Sequence, residues 1–81
     1  MNKKEIIETL EKKFLEFHNN MDLAMDDYRR TKNEVSANTG RIFASQSIAI
    51  IECLALINGV SMDKQNEDLY NKFNLWRDDE R

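Results

Sequence analysis

The chain has 81 residues, 41% hydrophobic and 33% charged, with a net charge of -3, two glycines and no proline. That length allows one domain whose own core is marginal, and the composition fits a helical globular chain, not a disordered one. Short charge blocks of both signs leave no global field for nucleic acid or anionic lipid, so any anion site must be local.

The start, Met-Asn-Lys-Lys-Glu, leads into a charged amphipathic stretch and not into the apolar core of a secretory leader. Cys53, the single cysteine, has no intrachain disulfide partner. Both features make a cytoplasmic location the expectation.

Ile7, Leu10, Phe14, Phe17, Met21, Ala24, Tyr28, Thr31 and Val35 follow alternating steps of three and four. This heptad stripe predicts one continuous helix over residues 3–37, near 50 Å long at about 1.5 Å per residue. Glu8 with Lys12 and Asp26 with Arg30 supply ion pairs at helical spacing, each contributing about 0.3 kcal/mol. A rival break at His18-Asn19-Asn20 would shift the phase, which instead runs on through Phe17, Met21 and Ala24.

Ser36-Ala37-Asn38-Thr39-Gly40 predicts the first turn, with Gly40 as a left-handed helix stop. The second helix is predicted over residues 41–58. It is apolar around most of its circumference, so it must be covered on most sides. Arg41, Ser45 and Glu52 share a narrow strip that also holds Ile48, and Cys53 reads as a small buried hydrophobe. The run from Ile42 to Ile57 is shorter than the roughly 20 residues of a membrane span and carries Ser45, Gln46, Ser47 and Glu52, so no membrane is expected. Asn58-Gly59 predicts the next stop, and Ser61 caps a third helix over residues 62–79 with Met62, Leu69, Phe73 and Trp76 inward and Tyr70 at the edge. The tail, residues 77–81, is expected to fray.

The resulting fold class is all-α: a long N-terminal helix and two shorter ones. The first would overhang the others, and the second has more apolar surface than one chain can cover, so an oligomeric helical bundle is the expectation. Phe14, Phe17, Met21, Ile48, Ile50, Ile51 and Leu54 are the residues expected at the interface between copies. Aromatic residues at three stripe positions favour a bundle between protomers over a two-stranded zipper.

Catalytic and metal chemistry find little footing. His18 has no cysteine or second histidine at ligand spacing, so neither a metal nor another cofactor is expected. It reads as a surface or interface residue. Asp22, Asp26 and Asp27, and the tail acids Asp78, Asp79 and Glu80, read as solvated faces. Glu52 needs either an arginine from another protomer or a route to water. The strongest anion feature is Tyr28-Arg29-Arg30-Thr31-Lys32 with Arg41 across the predicted turn, where cations, an aromatic ring and a helix amino end could hold a nucleotide-like anion or an acidic protein.

Ala55-x-x-x-Gly59-Val60 resembles the first half of the helix-turn-helix signature of DNA-binding regulators. The second half departs from it, because Gln65 and Asp68 stand at apolar core positions and Asp63, Glu67 and Asp68 outnumber Lys64 and Lys72 on the reading helix. Phosphate repulsion opposes docking there. The leading expectation is therefore a non-enzymatic helical homo-oligomer that binds a protein partner or small anion stoichiometrically, as a regulator or inhibitor of the size that phages and plasmids carry. A DNA-binding regulator and a structural scaffold subunit are the alternatives.

Overall fold

A computed structural model describes residues 1–77. Its regular elements are three helices: α1 (Lys3–Thr31), α2 (Glu34–Asn58) and α3 (Met62–Phe73). There is no strand among the described residues.

α1 starts where the Asn2 side chain accepts the Glu5 N–H at 2.9 Å, filling one of the donors left open at a helix amino end. It runs through His18-Asn19-Asn20 without interruption. It stops at Lys32, which takes the left-handed conformation (φ 57°) and donates its N–H to the Tyr28 carbonyl at 2.7 Å. Asn33 then caps α2 by accepting the Val35 N–H at 2.9 Å, and the Ser36 hydroxyl donates to the Asp27 carboxylate across the turn. The first turn is thus Lys32-Asn33, not residues 36–40. The heptad phase ran past it by coincidence, since Val35 belongs to the next helix and is exposed.

Gly40 lies inside α2 and is buried. A Cβ there would meet the Met25 Sδ at 2.6 Å, so the glycine serves close approach between α1 and α2 and does not end a helix. Gly40→Leu is expected to lower the urea midpoint, by about 1–3 kcal/mol in stability, because added volume forces Met25 and the facing backbone aside. An unchanged or raised midpoint would mean that Met25 swings away freely and that the gain in helix propensity prevails.

α1 and α2 pair antiparallel: Phe14 shares a core with Ile51 and Leu54, the Phe17 and Phe43 rings are 6.4 Å apart, and Met25 lies on Gly40. At 25 residues α2 nearly matches the 29 of α1, so there is no overhang. The chain turns again at Gly59 (φ 66°), whose N–H donates to the Ala55 carbonyl, and Ser61 caps α3 by accepting the Lys64 N–H at 3.1 Å. α3 folds back across both helices and closes the core with Leu69. Buried Gln65, which accepts from the Asn58 amide at 2.8 Å, takes the inward place expected for Met62. α3 ends at Phe73, where Asn74 turns left-handed (φ 54°). Residues 78 and 79 of the longer predicted helix, the tail acids and most of the tail expected to fray lie outside the described residues. Arg77 is described, with its guanidinium 3.7 Å from Asp22.

Both α1 and α3 pack on one side of α2, and this redistributes the expected interface. Phe14, Ile51 and Leu54 form the core of the single chain, Ile50 packs at its margin, and Phe17 and Met21 are partly covered. Ile48 stays exposed. Cys53 is exposed as well, because it faces away from both neighbours. His18 is buried, held between Phe14 and Tyr70 with ring centroids at 5.7 and 5.4 Å. The length argument against a membrane span also fails: α2 begins at Glu34, and by length and composition alone it is long and apolar enough to cross a bilayer.

Candidate functional site

The basic turn does not converge on an anion. Arg29 pairs with Asp26 at 2.6 Å and Arg30 with Asp27 at 3.2 Å, while the Lys32 ammonium lies over the Tyr28 ring at 5.5 Å. Arg41 is two turns into α2 and donates to the Asn38 side chain at 2.8 Å. The amino end of α2 already carries Asn33 and Glu34, so its dipole faces a carboxylate of its own chain. These exposed pairs each contribute little to stability, but they neutralise the cations locally.

His18 marks a second feature. Its Nε2 is 3.5 Å from Asp22, and two cavities of about 180 Å³ adjoin it. One is lined by Met21, Asp22, Tyr70, Leu75 and Arg77, and the other opens between all three helices toward Ser47 and Ile48. The Ser47 hydroxyl donates to the Ala44 carbonyl at 2.8 Å, which leaves no histidine-activated hydroxyl in that space. Cys53 is on the opposite side of α2, so a Cys-His nucleophile does not assemble. No group of three or more metal-ligating side chains occurs among the described residues.

The turn from Gly59 to Ser61 joins α2 to α3, and α3 exposes three carboxylates against two ammonium groups. Lys64 hydrogen-bonds Asp68 at 2.7 Å, and that bond holds its ammonium above the ordinary value of 10.5. The charge is present but spoken for within the helix.

The most developed surface is the outward face of α2, opposite α1 and α3. Val35, Ile42, Ala49 and Leu56 recur every seven residues, nearly two full turns, and therefore form one stripe. Val35 is 70% exposed, Ile42 59% and Leu56 77%. Thr39, Gln46 and Cys53 interleave with them to complete alternating steps of four and three, the pattern of a helix–helix seam. Arg41, Ser45 and Glu52 edge the stripe and face solvent, which gives Glu52 its route to water. Val60 and Met62, at 38% and 41%, add exposed apolar surface just beyond the end of the helix.

The sequence carried this signal, yet it was hidden in two ways. An all-round apolar helix does not announce which face its partners leave bare, and a break placed at Gly40 cuts Val35 away from the stripe. Compared with protein-family models, curated proteins and solved structures, the chain matches none of them.

Proposed function

We propose that the protein acts by stoichiometric binding and not by catalysis, as a small helical regulator or inhibitor whose contact surface is the outward face of α2. The observation that carries this reading is the seven-residue stripe Val35, Ile42, Ala49 and Leu56, which the chain leaves in solvent. Covering each of its three large members would contribute about 1–2 kcal/mol, given the surface each still exposes. A contiguous apolar strip on a small protein marks an interaction site more often than it marks chance.

The basic turn is a poorer contact, since its arginines are held by their own carboxylates. It serves better as a solvated cap to the α1–α2 hairpin. Native mass spectrometry of the protein purified from the cells that make it tests the reading. Complexes of fixed stoichiometry, with copies of itself or with another protein, support it. A lone 9.6 kDa chain in every preparation would contradict it.

A further inference from the structure

We infer that the occupant of the α2 stripe is a second copy of this chain, lying antiparallel about a two-fold axis at Ala49. This rests on the reading of that face as the binding surface and fixes what it binds and in which direction.

The residue pattern is symmetric about Ala49. Ile42 and Leu56 each lie seven residues from it, so a two-fold axis through Ala49 sets Ile42 of one copy level with Leu56 of its partner, twice over. The small side chain at the axis lets the two helices come close where they cross. Val35, fourteen residues from the axis, lies about 7 Å beyond the level of the partner's Asn58, where α2 ends. One operation thus covers Ile42, Ala49 and Leu56 in both copies.

The polar edge agrees. In an antiparallel pair related by such an axis, like edges face each other. Ser45 comes within one residue of level with Glu52 of the partner, offering a hydroxyl donor to its carboxylate, and Arg41 on the same edge presents the opposite charge. Parallel pairing would set this polar edge against the opposite edge of the partner and would align the two helix dipoles. Because α1 and α3 lie on the far side of α2, they do not obstruct the approach of the partner.

Disulfide mapping tests the inference on the full chain. In a Cys53→Ser background, Ile42→Cys and Leu56→Cys proteins are prepared separately and also mixed, then oxidised under mild conditions. Each position is exposed, so the core is untouched, and far-UV circular dichroism checks that the helices persist. In the antiparallel pair the two copies of position 42 are separated by about 21 Å along the axis, well beyond the roughly 7 Å limit between Cα atoms for a disulfide. The expected result is covalent dimers in the mixture, joined from position 42 to position 56, with each protein alone remaining unlinked. Linkage in either single preparation indicates parallel pairing and overturns the inference, as does the absence of linkage in the mixture. Sedimentation of the unaltered chain separates the failures. Dimers without the mixed disulfide overturn the two-fold geometry only, whereas monomers in sedimentation together with a foreign partner in native mass spectrometry overturn self-pairing and leave the binding reading standing.

Discussion

Leu54→Ala is expected to shift the urea midpoint of the fold far downward. Among the described residues Leu54 is the most deeply buried core side chain, and it is the point where α1, α2 and α3 meet through Phe14, Ile51 and Leu69. Truncating a leucine in such a site costs about 2–5 kcal/mol, part lost transfer energy and part cavity. A chain of this size has a total stability of about 4–12 kcal/mol. The change therefore removes a large share of what holds three helices together, and Phe14→Ala acts by the same mechanism with similar size. A urea transition followed by helical circular dichroism, with its midpoint displaced to much lower denaturant, checks this. A variant with native helicity and an unshifted midpoint would mean that Leu54 is not at the centre of the fold.

The double variant Ile42→Asp with Leu56→Asp has the opposite signature. Both side chains are exposed in the single chain, so the stability of one copy should change by no more than about 0.5 kcal/mol. Association is another matter, because a dimer through the stripe would bury four unpaired carboxylates, each costing several kcal/mol. At 1.4 kcal/mol per tenfold, the expected weakening is at least about a thousandfold, which makes the protein monomeric at any practical concentration. Sedimentation shows the change in mass, and circular dichroism shows that the helices remain. Undiminished association with intact helices would place the interface elsewhere, with the exposed Ile48 and the cavity beside it the next surface to examine.

The contrast between these two sets of substitutions shows which parts of the molecule could be read from its sequence. Three helices, the stop at Asn58-Gly59 and the cap at Ser61 follow from local chemistry, and the structure has all of them. The first turn does not follow, because its left-handed residue is Lys32, a residue type that pays for that conformation. Gly40 offered the commoner explanation of a glycine, a helix stop, while its role is to admit Met25. Both errors have one root: whether a glycine ends a helix or lets another approach is decided by tertiary contact.

The same limit applies to the surface. Ile51 and Leu54 are as apolar as Ile42 and Leu56, and only the placement of α1 and α3 sends the first two inward and leaves the others bare. His18 was unreadable for a related reason, since its burial depends on Phe14 and on Tyr70 from a distant helix. In α2 the seven-residue recurrence was present in the letters throughout. It becomes meaningful once the covered face is known.

If the outward face of α2 holds two copies together, sedimentation equilibrium of the unaltered chain at micromolar concentration reads the pairing without any substitution. The expected result is a particle of twice the 9.6 kDa chain mass that dissociates on dilution. A particle of single-chain mass at every concentration, with its helices intact, would contradict it.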